Sequence, residues 1–174
     1  MPEATIRAAS VQDAAALAAF AERTFRDTFE CDNSASDMDR YVSEHYGVMQ
    51  QSAELSDPRC VVLLAESAGS VVGYAQMLAG PQPLEVVVNP AVEIQRFYVA
   101  REHHGKGLAQ QLMSATLDRA RLEESRAVWL AVWERNARAI SFYTRIGFVD
   151  VGSQLFVLGD DRQTDRIMYR PNER

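Results

Sequence analysis

The sequence predicts one mixed α/β domain: a central sheet of about seven strands and four helices in the order β-α-α-β-β-β-α-β-α-β-β. Three observations carry this. The length of 174 residues suits one core and leaves little room for a second. Apolar runs of strand length, joined as hairpins, fill the middle and the end of the chain. From residue 91 onward, strand-like runs alternate with helix-period segments, so crossovers impose locally parallel pairing on a sheet whose hairpins are antiparallel.

Residues 4–9 read as a short strand. Ser10 with Asp13 resembles a helix start, and Leu17, Phe20, Ala21, Thr24 and Phe25 recur at helical spacing to about residue 30. CDNSAS breaks that helix, and a second covers about 36–52. RCVVLLAE and VVGYAQML form a hairpin around the turn SAGS. AGPQPLEVVVNP, with three prolines, reads as a loop on the site side of the sheet, and AVEIQRFYVA as the third strand of this region. GKGLAQQLMSATLDRARLEE reads as a helix, with Ala109, Leu112, Met113, Leu117 and Ala120 on one face and Gln110, Ser114, Asp118 and Arg121 on the other. AVWLAVW is apolar almost throughout, as a strand covered on both faces must be. Asn136 is placed to cap the helix ARAISFYTRI, which Gly147 ends. Strands over about 148–158 and 163–170, joined by the turn LGDD, complete the order.

Composition narrows the partners. A formal charge of −6 argues against nucleic acid and suits a cationic substrate. No apolar run is long enough to span a bilayer, and MPEATIRAAS lacks the basic-then-apolar pattern of a secretory signal, so a cytoplasmic location is expected. Cys31 and Cys60 stand in no CxxC spacing, and His45, His103 and His104 assemble no ligand set, so no metal is expected. Seventeen of the eighteen basic residues are arginine, a bias that genomic base composition explains. The single lysine, Lys106, sits in the most glycine-dense segment.

That segment, VAREHHGKGLAQQLM, runs from a strand end into a helix start. Gly105 and Gly107 let the backbone approach a ligand closely, and the first amides of the new helix lack intrahelical partners and carry the positive end of its dipole. Alone, a GxG is equally a simple tight turn. No Walker run GxxxxGK[ST] exists, and a dinucleotide-binding fingerprint would require glycine or alanine where Gln110 stands.

HGKGLA resembles the [QR]xxGx[GA] pyrophosphate loop of GCN5-related N-acetyltransferases. NARAISFYTRIGF, one helix and one strand downstream, resembles the second signature of that family. TFRDTF, LAVWERN and GDDRQTDRIM are similar to bacterial polyamine (spermidine/spermine) acetyltransferases of the PaiA type. The resemblance implies a splayed sheet and acetyl-CoA as co-substrate, with its diphosphate on the amides of His104, Gly105, Lys106, Gly107, Leu108 and Ala109. It further implies pantetheine pairing with the backbone of Phe97, Tyr98 and Val99 as an added strand, the Val99 amide facing the developing oxyanion, and Asn136 bonding the cofactor. His104 stands where the family has Gln or Arg, so a fixed positive charge there is not implied.

Acyl transfer to an amine needs a proton acceptor, because an alkyl ammonium has a pKa of about 10. The resemblance assigns that role to Glu93, eleven positions upstream of His104; read alone, Glu93 is a solvated strand residue. It makes Tyr143 the acid for the leaving thiolate, where helical periodicity alone makes Phe142 and Tyr143 core aromatics. Phe29, Glu30 and Tyr41, with Asp32, Asp37, Asp39 and Glu44, fall where the family covers its acceptor channel, and carboxylates among aromatics suit a polyamine. Three functions are therefore compatible: a polyamine acetyltransferase, an acetyltransferase for a protein N-terminus, lysine or other small amine, and a non-catalytic acyl-CoA-binding module. A homodimer is common among such proteins and compatible with each.

Overall fold

A computed structural model describes residues 4–158 and 161–172. Seven strands form one sheet: β1 (Thr5–Ala8), β2 (Cys60–Ser67), β3 (Ser70–Ala79), β4 (Ala91–Val99), β5 (Ala127–Trp133), β6 (Val149–Leu158) and β7 (Asp161–Pro171). Five α-helices accompany them: α1 (Ala14–Phe29), α2 (Ala35–His45), α3 (Val48–Ser56), α4 (Leu108–Leu122) and α5 (Ala137–Arg145). The strand order is β1-β2-β3-β4-β5-β7-β6, antiparallel throughout except for the β4–β5 pair.

The apolar run of β2 is explained by layers on both faces. Val62 and Leu64 pack with Leu17, Phe20 and Phe25 of α1, while Leu63 and Ala65 pack with Leu108 and Leu112 of α4. Full burial of each such side chain contributes roughly 2 kcal/mol. α4 and α5 share the second face, where Met113, Leu117, Tyr143 and Phe148 close over Val128, Leu130 and Val132 of β5. Asp13, ahead of α1, accepts from the Ser10 backbone at 2.7 Å and from its hydroxyl at 3.1 Å, so the expected helix start is present.

Three expectations need correction. The single helix over 36–52 is two, α2 and α3, because Gly47 takes an extended conformation between them. Gln51 then folds back, its Nε2 donating to the His45 carbonyl at 3.0 Å across the break. The second strand–helix–strand crossover produces no parallel pair: β7 lies between β5 and β6, so β5 and β6 run in the same direction without touching. The proline-rich loop precedes β4, and Val86 from it packs with Ala91, Ala127, Trp129 and Ile167, at the end of the sheet away from the Phe97–Val99 terminus. Gly159 and Asp160 of the expected LGDD turn lie outside the described residues.

What positions the site is the way β4 leaves β5. Their parallel register holds only from Ala91↔Ala127 to Glu93↔Trp129. A bulge follows at Gln95, where Met77 pairs with Ile94 and Gln76 with Arg96. Bulges bend a strand and increase its twist. This one is held by a buried polar cluster: Gln76 Nε2 donates to Gln95 Oε1 at 2.9 Å, and Arg96 donates to Gln76 Oε1 at 3.0 Å and to both oxygens of Glu54 on α3. The Arg96 guanidinium also lies 4.8 Å from the Tyr46 ring centroid. Removing Glu54 would strand a buried guanidinium, so Glu54→Ala should destabilise the protein by about 3 kcal/mol in urea unfolding, more than an exposed ion pair would cost.

Candidate active site

Beyond Glu93, β4 keeps β3 on one side and has no strand on the other. Ala100 N donates to Val72 O at 2.9 Å. Antiparallel alternation therefore turns the Tyr98 main-chain groups toward β3 and those of Phe97 and Val99 outward, into the gap left by β5. The Val99 carbonyl accepts from His104 Nε2 at 2.7 Å, and both Phe97 and Val99 line a cavity.

The chain then turns through Arg101–His103 and enters α4 at Gly107. Gly105 has φ +73° and Gly107 φ +85°. A Cβ on either would meet no atom within 4 Å, so what this turn demands of glycine is its left-handed backbone. Across the gap, α5 starts at Asn136, whose Oδ1 accepts from Ala139 N at 3.1 Å. That bond occupies the acceptor of the amide and leaves its NH2 group for the cavity, which Asn136 lines.

Together these elements enclose a cavity of about 460 Å³. Its walls are Phe97, Tyr98 and Val99 of β4, Arg101, His104, Gly105 and Gly107 of the turn, Ala109 and Gln110 of α4, and Asn136, Arg138, Ala139, Phe142, Tyr143 and Arg145 around α5. Thr24, Asp27 and Thr28 of α1 close it from the other face of the sheet. Tyr143 is 7% exposed, edge-on to Phe97 at 6.3 Å and to Phe142 at 5.5 Å. Its hydroxyl makes no hydrogen bond with the described residues, and burial raises its pKa, so it stays protonated at neutral pH.

Of the residues singled out in the sequence, nine meet here: Phe97, Tyr98, Val99, His104, Gly105, Gly107, Ala109, Asn136 and Tyr143. Leu108 does not turn its side chain to the cavity; it is buried against Ala75 and Leu112, although its amide belongs to the helix start. Lys106 is exposed and lies off the cavity wall. Glu93 also lies off the wall, on the sheet face of its partner Trp129, and burial raises its pKa. His104 is lowered, chiefly by burial and then by Arg138 and Arg101, which leaves it neutral near pH 7 and donating to Val99.

Positive charge at the cavity therefore comes from Arg101, Arg138 and Arg145, which sequence reading passed over among so many arginines. The spacing of Arg138 and Arg145, two turns apart on α5, was the available signal. On the acceptor side, Glu30, Asp32 and Glu44 are exposed, Asp39 pairs with Arg26, and Asp37 supports the α2 start through Ser34. Phe29 and Tyr41 are half-buried; Tyr41 stacks on Phe25, and Phe29 lies tilted against it. The carboxylate that is buried near these rings is Asp165, on β7. Among the described residues, no cluster of three His, Cys, Asp or Glu side chains could hold a metal ion, and no helix is long and apolar enough to cross a membrane.

The profile of the acetyltransferase (GNAT) family matches residues 19–148. An uncharacterized N-acetyltransferase of Lactobacillus delbrueckii subsp. lactis is 31% identical over 161 residues, covering 92% of this chain and 93% of that protein. The chain belongs to the GNAT family of acetyltransferases. The crystal structure of PaiA N-acetyltransferase from Thermoplasma acidophilum in complex with coenzyme A superposes with a TM-score of 0.79 at 19% identity, covering 97% of this chain and 99% of that one. The spermine/spermidine N(1)-acetyltransferase of Bacillus subtilis is 32% identical over 81 residues, 46% of this chain and 53% of that protein.

The open space around Gly107 separates conformation from packing. Gly107→Ala should cost about 1 kcal/mol in urea unfolding through the left-handed backbone alone. A much larger loss would mean that the methyl group meets an atom where the structure has none.

Proposed function

We propose that this protein, acting through one domain over residues 1–174, transfers an acetyl group from acetyl-CoA to a primary amine, and that the amine is a polyamine such as spermidine or spermine. The observation that carries the reading is the convergence, in one cavity, of the outward backbone of Phe97 and Val99, the glycine turn at the start of α4 and the free Tyr143 hydroxyl. Family membership supports the reaction class, and the partial likeness to the spermine/spermidine N(1)-acetyltransferase of Bacillus subtilis supports the acceptor.

Acetyl-CoA supplies an acetyl thioester. The residues present fit it. The amides of 104–109 and the cations Arg101, Arg138 and Arg145 suit a diphosphate. The outward Phe97 and Val99 groups suit an extended amide chain laid beside β4, as a strand added to an open edge. The Val99 N–H is the donor for the carbonyl oxygen as charge develops on it. The amine nitrogen bonds to the carbonyl carbon, the carbon–sulfur bond breaks, and the proton lost from nitrogen passes to Glu93, directly or through water. Tyr143 hydrogen-bonds the departing sulfur and gives it a proton. Burial favours both assignments, raising Glu93 toward the range of a useful base and keeping Tyr143 protonated.

The test is thiol release from acetyl-CoA in the presence of spermidine, spermine and other amines. Release with other amines and none with either polyamine would eliminate the polyamine. CoA binding without turnover of any amine would leave a binding module. Tyr143→Phe should lower kcat by about 10- to 100-fold with little change in CoA affinity, and Gly107→Glu should abolish that affinity by placing a carboxylate at the phosphate turn. If Glu93 is the base, kcat/KM rises with pH as its carboxyl ionises, at a midpoint above the ordinary carboxylate range, and Glu93→Gln removes that limb.

A further inference from the structure

Behind α1 and α2, on the sheet face opposite α4 and α5, the far end of the β5–β7–β6 sheet carries a second polar cluster. Asp165 is 9% exposed and Gln163, two positions earlier on the same face of β7, is 8% exposed. Asp165 pairs across the sheet with Trp133, the last residue of β5, and Gln163 pairs with Phe156 on β6. Four half-buried rings bound the region: Phe29 lies 5.9 Å from Trp133, and Tyr41 lies 5.8 Å from Phe156. Phe25 joins the two pairs, 4.7 Å from Phe29 and 4.9 Å from Tyr41.

Both polar groups lack donors. Gln163 commits its Nε2 to Asn33 Oδ1 at 2.9 Å and to Asp161 Oδ2 at 2.8 Å, which leaves its Oε1 buried with no partner. Asp165 has no hydrogen bond or ion pair with any described residue. Its carboxyl is raised to about 6, by burial alone, and its charge in turn acts on Tyr41. The nearby cations are engaged elsewhere: Arg96 with Glu54, Arg26 with Asp39, and Arg166, on the other face of β7, with Asp150. Buried polar groups are ordinarily satisfied, so two adjacent acceptors without a donor inside an aromatic ring set mark a place for a ligand that brings donors and positive charge.

We propose that Asp165 and Gln163, walled by Phe29, Tyr41, Trp133 and Phe156, form a subsite for a protonated amine nitrogen of the acceptor other than the one acetylated. The reacting nitrogen must be neutral when it attacks. A buried carboxylate among π faces stabilises the charged form instead, and so suits a nitrogen that keeps its proton throughout. Thr28 of α1 lines the cavity described above, and Phe29 follows it as the last residue of the same helix. The acceptor class is then a diamine or longer polyamine. An amino acid would bring a carboxylate beside two acceptors, where Arg96, Arg26 and Arg166 among the described residues are already paired. This assignment rests on the acetyltransferase reading above and adds the residues that would choose its acceptor.

The test is calorimetric titration of the protein with CoA present, at pH 8, using 1,4-diaminobutane and n-butylamine, alongside their kcat/KM with acetyl-CoA. The wild type should bind the diamine at least tenfold more tightly than the monoamine. Asp165→Asn should reduce that preference by tenfold or more, acting on KM rather than kcat, and Gln163→Met should reduce it in the same direction. Because Asp165 is a buried charge without a partner, Asp165→Asn should also raise Tm at pH 8, which separates a lost ligand contact from a damaged fold. Equal affinity of the wild type for both amines, or an unchanged preference in a folded Asp165→Asn protein, would overturn the subsite. Absence of thiol release with every amine would overturn the acetyltransferase reading instead, and the titration would still report on the subsite.

Discussion

The interaction on which the rest depends is the short parallel pairing of β4 and β5, which ends at Glu93↔Trp129. A continued ladder would have tied up the outward groups of Phe97 and Val99 and closed the sheet. Instead β4 bends at Gln95, over a buried network of Gln76, Arg96 and Glu54, and β5 continues with β7 alone. Backbone hydrogen-bonding groups left without a strand are costly unless water or a ligand meets them. The opening is thus at once a defect in the sheet and the feature that receives an extended partner.

Around that opening the chemistry is divided by face. The α4–α5 side supplies amides at a helix start, arginines at the cavity rim and a tyrosine packed among phenylalanines. It suits a polyanionic, extended ligand. The α1–α2 side supplies aromatic rings and a buried carboxylate without a counter-ion. It suits a cation. Exposed acids on α1 and α2 are solvated or locally paired, while Asp165 is the acid among the described residues that is buried with the rings. A group that costs stability where it stands, and that packing does not require, is more readily explained by what it meets than by what it supports.

Neither Lys106 nor His104 puts a positive side chain on the cavity wall. As the only lysine, in a glycine turn, Lys106 invites the role of a phosphate cation, yet it is exposed and does not line the cavity. His104 is neutral and fastened to the Val99 carbonyl, so it shapes the end of β4 and adds no charge. What the turn requires is a left-handed backbone at Gly105 and Gly107, which is why its glycines were recognisable.

Local rules were enough to read most elements from the chain itself. Alternation and continuous apolar runs marked the strands, and the 3.6-residue period marked α1 and α4. Asn136 and Gly147 bracketed α5 because caps and left-handed turns depend on neighbouring residues alone. The glycine turn and Tyr143 were legible for the same reason, as short-range patterns in a fixed order. Tertiary structure alone decided three things: that β7 inserts between β5 and β6, that β4 parts from β5 after three paired residues, and that Asp165 rather than Glu30 or Asp32 meets the aromatic cluster. Each depends on residues far apart in the chain, where the sequence records the side chain but not its neighbours. Burial and pairing belong to the packed molecule.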